Sequence, residues 1–280
     1  MADRARRRKS TPAAARETGS SATPTVVGVG ASAGGLTTLC TFFEHVPEAS
    51  GLAFVVIVHL SPEHESHLPD LLQSHVRIPV RQVTDNVSLE PDHVYVIPPG
   101  ANVNTIDAHL RLSELEQPRA ARAPIDHFFR ALASTHDGKA VGVILTGTGS
   151  DVALGIKEIK ENGGLTIAQD PAEAEYDGMP RSAIATGLVD LVLPVADIHA
   201  AILRVAQTEP SISVPAEGEE LEADQRRLLQ KVFAQVRART GRDFTPYKRS
   251  TILRRIQRRM QLLQIEQLNS YVQRLREDGE

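Results

Sequence analysis

The chain has 280 residues, enough for one large domain or two modest ones, and its 41% hydrophobic and 24% charged composition suits ordinary globular packing. Aromatic residues make up only 4% and there is no tryptophan, so the core must be aliphatic. No run approaches the roughly 18 apolar residues of a membrane span, and a net charge of -4 is too small to argue for nucleic acid or membrane binding.

The single Cys40 cannot close an internal disulfide and fits a reducing, cytoplasmic setting. Residues 1–23 carry a basic start (Arg4, Arg6, Arg7, Arg8, Lys9) with no apolar segment after it. They read as a disordered tail rather than an export signal.

Thr25 to Val29 reads as a buried strand, Leu36 to Val46 as the helix after it, and Ala53 to Val58 (AFVVIV) as a second buried strand. A polar loop and a short helix near Leu68 to Ser74 follow. Val94 to Ile97, Val103 to Ile106 and His109 to Leu112 alternate apolar and polar residues around Pro98-Pro99-Gly100, which predicts a small antiparallel excursion.

The α/β rhythm then resumes. Helices are predicted over Ile125 to Thr135, Val152 to Asn162, Arg181 to Thr186 and Ala196 to Val205. The strands between them are Ala140 to Leu145 (AVGVIL), Leu165 to Ala168 and Leu191 to Leu193. Continuous apolar strands between helices imply an α/β fold: a doubly wound, mostly parallel sheet covered on both faces.

Thr208 to Gly218 (TEPSISVPAEG) breaks the pattern and reads as a linker. Beyond it lies an all-α, more basic segment: Leu221 to Thr240, a turn at Phe244 to Tyr247, the strongly basic Ser250 to Leu263, and Ile265 to Arg276. The predicted organisation is therefore a tail (1–23), an α/β unit (24–207), a linker (208–220) and a helical unit (221–280).

In an open parallel sheet, chemistry gathers at the carboxyl ends of the strands. Gly30-Ala31-Ser32-Ala33-Gly34-Gly35 matches G-x-S-x-G, a tight strand-to-helix turn that presents a serine hydroxyl beside free helix N–H groups. The loop alone fits a glycine-rich turn with an N-capping serine equally well. It also loosely resembles a dinucleotide fingerprint, but the second strand ends Val58-His59-Leu60 without the acid that ribose binding needs, and no Gly-Lys-Ser/Thr is present.

His59 follows the second strand, where a general base would sit. His64-Glu65-Ser66-His67 in the same loop lacks metal-ligand spacing and an evident third ligand, so no metal is expected. Thr146-Gly147-Thr148-Gly149-Ser150-Asp151 follows AVGVIL. Asp151 reads either as the N-cap of its own helix or as the carboxylate that fixes an imidazole, and the two roles are compatible. The order Ser, His, Asp differs from the Ser, Asp, His of ordinary α/β-hydrolases.

VGVGASAGG (27–35), VHLSP (58–62), AVGVILTGTGSDVALG (140–155) and GMPRSA (178–183) together resemble the catalytic domain of the chemotaxis methylesterases, the CheB family. That resemblance implies Ser32 as nucleophile, His59 as general base and Asp151 as its orienting partner. It also implies an oxyanion hole of backbone N–H groups near Ala33 and Thr148, with Met179 beside the site. The implied substrate is the glutamate γ-methyl ester of receptor signalling helices, with glutamine deamidation in many members, and no cofactor is implied.

The family usually shows Asp-Gly where this chain has Asp151-Val152, so a bulkier side chain stands beside Asp151, either disturbing it or pointing into the helix face. About two dozen residues precede the first strand, too few for the phospho-receiver domain many members carry, so control by phosphorylation in cis is not expected.

DFTPYKRSTILRRIQRRM (243–260) resembles the helical N-terminal domain of the chemotaxis receptor methyltransferases. By that resemblance Arg254, Arg255, Arg258 and Arg259 would engage an acidic receptor; on spacing alone they form a solvated basic face. The chain reads as the front of an esterase–methyltransferase fusion. Its partner would be a methylated chemotaxis-type receptor, with no nucleic acid and no membrane insertion. A non-catalytic signalling scaffold is the competing class, and nucleotide binding the third.

Overall fold

The computed structural model describes residues 24–32, 34–59, 67–114, 123–136, 138–215, 219–244 and 246–277. The basic segment 1–23, Ala33 and His64 lie outside them.

A seven-stranded sheet forms the centre. Its strands are β1 (Thr25–Ala31), β2 (Leu52–Val58), β3 (Val80–Gln82), β5 (His93–Val96), β8 (Ala140–Ile144), β9 (Leu165–Gln169) and β10 (Leu191–Leu193). They run in the order β10-β9-β8-β1-β2-β5-β3, and every pairing is parallel. From β1 the chain winds outward through β2 to one edge of the sheet, then returns to β8 on the other side of β1. That reversal makes the crevice between β1 and β8 the topological switch point, where ligands of open α/β sheets bind.

Alternating residues of the central strands feed two cores. On one face Val27, Val29, Phe54, Val56 and Val143 meet α1 (Gly35–Glu44), α2 (Leu68–Gln73) and α6 (Val195–Gln207). Phe42, Phe43 and Phe54 pack edge to face there. On the other face Val26, Val55, Ile57 and Ile144 meet α3 (Pro124–Thr135), α4 (Ala153–Glu161) and α5 (Gly178–Ala185). Both faces are covered, which explains why strands such as AFVVIV read as unbroken apolar runs.

The antiparallel excursion has three strands, as expected, but one of them is a different segment. β4 (Val87–Ser88), β6 (Ala101–Ile106) and β7 (His109–Glu114) form it. The segment predicted as Val94 to Ile97 belongs instead to the main sheet, where β5 lies parallel between β2 and β3.

Three further helices, α7 (Ala223–Thr240), α8 (Arg249–Leu262) and α9 (Leu268–Glu277), enclose a separate cluster that includes Leu229, Val232, Leu253, Ile256, Met260 and Val272. No described helix is long and apolar enough to cross a membrane.

One expectation for α8 is overturned. Arg258 does not face a partner: it is 7% exposed. Its Nε donates to Gly163 O at 3.0 Å and its Nη2 to Gly138 O at 2.6 Å, both in the α/β unit. Burial pushes its pKa down to about 10, with the charge of Asp190 opposing that shift. Arg254 packs against Gly163. Arg255 and Arg259 stay exposed.

Candidate active site

Three strand ends build the site. Ser32 follows β1, and its N–H donates to Thr146 O at 3.0 Å, which ties the serine turn to the loop after β8. Thr146 is buried and firmly held: its N–H donates to Gln169 Oε1 at 2.8 Å, and its hydroxyl exchanges hydrogen bonds with the backbone of Tyr176. Gln169, at the end of β9, and Tyr176 were not among the sequence-predicted site residues. A long polar residue closing a buried strand was the available signal for Gln169.

His59 follows β2, beside β1, and its N–H donates to Ala31 O at 3.3 Å. Its Nε2 lies 2.9 Å from Asp151 Oδ2, with side-chain exposures of 27% for the histidine and 10% for the aspartate. The carboxylate can only accept when ionised, so this contact places the ring proton on Nε2 and leaves Nδ1 with its lone pair. Ser32 Oγ makes no hydrogen bond with that ring in this structure.

Asp151 does not cap its own helix. The N-cap of α4 is Val152, with no side-chain cap. Asp151 instead accepts from the first turn of α3, from Ile125 N–H and Asp126 N–H, each at 3.1 Å. The carboxylate therefore has three hydrogen-bond donors, one the histidine and two at a helix N-terminus, which fix its orientation. Val152 is fully buried in the core, so the bulk beside Asp151 points inward and leaves the contact with His59 in place.

The loop after β8 also carries Thr148, another residue singled out in the sequence. Thr148 N–H has no acceptor among the described residues. Met179 is buried, and its N–H donates to Gly147 O at 2.8 Å. Gly147 is held by close approach: an added Cβ would strike Met179 Sδ and lie 2.8 Å from Ser32 Cβ. Ala33, the other oxyanion residue of the sequence reading, lies outside the described residues.

A doubly wound α/β protein with Ser, His and Asp converging at its switch point is the class that fold and site define. The CheB methylesterase family profile matches residues 27–202, and the profile of the CheR methyltransferase all-alpha domain matches residues 227–280. This chain belongs to the CheB methylesterase family.

Among its relatives is a Geobacter sulfurreducens protein named "Protein-glutamate methylesterase/protein-glutamine glutaminase 1". It is 35% identical over 186 residues, which cover 64% of this chain and 51% of that protein. A Rhodobacter capsulatus protein of 104.1 kDa, encoded in the hypE 3' region and uncharacterized, is 34% identical over 230 residues. The match covers 75% of this chain and 24% of that protein, so this chain spans only part of the length of such relatives. The crystal structure of the Thermotoga maritima CheB methylesterase catalytic domain matches with a TM-score of 0.61 at 27% identity, covering 65% of this chain and 98% of that one.

Proposed function

We propose that this chain is a protein-glutamate methylesterase that hydrolyses glutamate γ-methyl esters on chemotaxis-type receptors, with Ser32 as nucleophile, His59 as general base and Asp151 as its orienting partner. The observation that carries the reading is the 2.9 Å contact between His59 Nε2 and Asp151, placed beside the Ser32 turn at the switch point of the sheet.

With Nε2 committed to Asp151, Nδ1 is the nitrogen that takes the Ser32 proton. The Ser32–His59 hydrogen bond closes when substrate binds, as in other hydrolases whose catalytic contacts tighten in the complex. Ser32 Oγ attacks the ester carbonyl, His59 receives the proton, and Asp151 stabilises the imidazolium. The oxyanion accepts from Thr148 N–H and from the N–H of Ala33. Collapse expels methanol, which takes its proton from His59. Water then adds to the acyl-serine with His59 again as base, giving the glutamate carboxylate and free Ser32. The same steps on a glutamine amide release ammonia, in keeping with the double name of the Geobacter relative.

Burial of Val152 without loss of the His59–Asp151 contact supports this reading over a non-catalytic scaffold. The proposed division is an esterase unit over 24–207, a linker over 208–220 and a helical unit over 221–280 that extends the chain toward an acidic partner through Arg255 and Arg259. The proposed setting is the cytoplasm. Methanol release from a methylated receptor fragment, compared between the parent and Ser32→Ala, tests the reading.

A further inference from the structure

Helices α3 and α4 start side by side, and neither is capped by its own N-cap residue: Ala123 before α3 and Val152 before α4 make no side-chain cap hydrogen bond. Each helix borrows its cap from the other. Asp151, just before α4, accepts the N–H groups of Ile125 and Asp126 in the first turn of α3. Asp126, in that turn, accepts Gly155 N–H in the first turn of α4 through Oδ1 at 2.5 Å. A side chain normally caps the second or third amide of its own helix; here two carboxylates do so crosswise.

Asp126 is costly to keep. It is only 8% exposed. Burial raises its pKa above the ordinary 3.8; Gly155 N–H opposes that shift, the charge of Asp151 adds to it and Arg130 works against it. An apolar residue would pack at this position without setting two carboxylates close together. What an apolar residue cannot do is hold Gly155. The approach is close: a Cβ on Gly155 would lie 2.6 Å from Phe129 Cβ and 3.1 Å from the Asp126 Cα.

We propose that Asp126 is a positioning residue for the esterase site: its side chain ties the start of α4 to the start of α3 and so holds the Asp151 carboxylate where it meets His59 Nε2. The inference rests on the Ser32–His59–Asp151 reading for its catalytic consequence, but not for its geometry. Asp126 touches none of the reacting atoms. Its main-chain N–H binds Asp151 directly, and its side chain fixes the segment from which Asp151 projects.

The test compares the parent with Asp126→Asn and Asp126→Ala by three measurements: the low-field proton resonance of His59 Nε2–H, identified by its loss in His59→Gln; kcat and KM for methanol release; and thermal stability. Asparagine retains an acceptor for Gly155, and alanine does not. In Asp126→Ala the resonance is expected to exchange with water at least about tenfold faster, and kcat to fall about 10- to 100-fold with KM within about twofold, since a misplaced catalytic group costs rate rather than binding. Asp126→Asn is expected to recover most of both.

Alanine with an unchanged resonance and kcat overturns the inference. So does asparagine as impaired as alanine, because then the acceptor is not what matters. If the alanine variant does not fold, Asp126→Ser, too short to reach Gly155, takes its place. A parent that shows the resonance but releases no methanol defeats the methylesterase reading, while the resonance still decides the role of Asp126. A parent without the resonance contradicts the His59–Asp151 bond and the inference together.

Discussion

Asp151 and His59 are joined through Oδ2 and Nε2 at 2.9 Å, while the same carboxylate receives two amides of α3 at 3.1 Å. The aspartate is thus fixed by a helix start as well as by its histidine. Asp151→Asn removes the charge from both. It lets the amide donate to the ring and move the proton onto Nδ1, which disables the base. A loss of about 10³-fold or more in kcat/KM for methanol release is expected, with about 1 kcal/mol of stability lost at the α3 N-terminus. Steady-state kinetics beside thermal denaturation checks both. Near-parental kcat/KM would show that Nδ1 is not the base.

Gly147 tests how tightly the serine turn is packed. In Gly147→Ala the new methyl meets Met179 Sδ and Ser32 Cβ, so Ser32 must shift. Labelling of Ser32 by a fluorophosphonate is expected to slow about 100-fold, and overpacking to cost about 1–3 kcal/mol. Adding Met179→Ala relieves the sulfur contact and should recover part of the labelling rate.

Arg258 sets a contrast, because Gly138 and Gly163 precede β8 and β9 and lie at the end of the sheet away from Ser32. Arg258→Ala leaves two carbonyls without their donor and should cost about 2 kcal/mol. The signature is faster proteolysis in the 208–220 segment with kcat for methanol release unchanged. A fall in kcat in protein whose α/β unit stays folded would reveal a coupling that the geometry does not contain.

His199 governs part of the acid sensitivity. It is buried on α6 beside Phe54, and neither ring nitrogen has a partner among the described residues. Burial, and secondarily the charge of His45, holds its pKa below the ordinary 6.5. The unfolded chain therefore takes up a proton that the folded chain refuses, and stability is lost as pH falls through 6.5. His199→Leu removes this term. The drop in Tm between pH 7.5 and pH 5.5 should shrink by about 2 °C. An undiminished drop would assign the acid sensitivity elsewhere, with the similarly buried His136 the next group to replace.

The central strands were legible in the sequence because burial on both faces makes them continuous apolar runs, and the loops that carry Ser32, His59 and Asp151 because each follows such a run. β5 was misassigned because HVYV alternates like a half-exposed antiparallel strand, although it lies inside the parallel sheet. β3 (VRQ) is a short polar edge strand with no periodic signal. The crosswise caps were invisible because Asp151 and Asp126 act on helices other than the ones they begin or belong to. Arg258 was misplaced for a geometric reason. It lies roughly 150° around α8 from Leu253, Ile256 and Met260, so hydrophobic patterning assigns it to solvent. That second face instead docks on the α/β unit through the carbonyls of Gly138 and Gly163, and on the start of the linker through Thr208 O, bonded by Gln261 at 3.1 Å.

The most direct measurement is methanol release from a receptor fragment carrying glutamate γ-methyl esters, with parent and Ser32→Ala at equal folded concentration. Release by the parent is expected, and none above the uncatalysed background by Ser32→Ala, with fluorophosphonate labelling lost in step. Release by Ser32→Ala at the parental rate would contradict it.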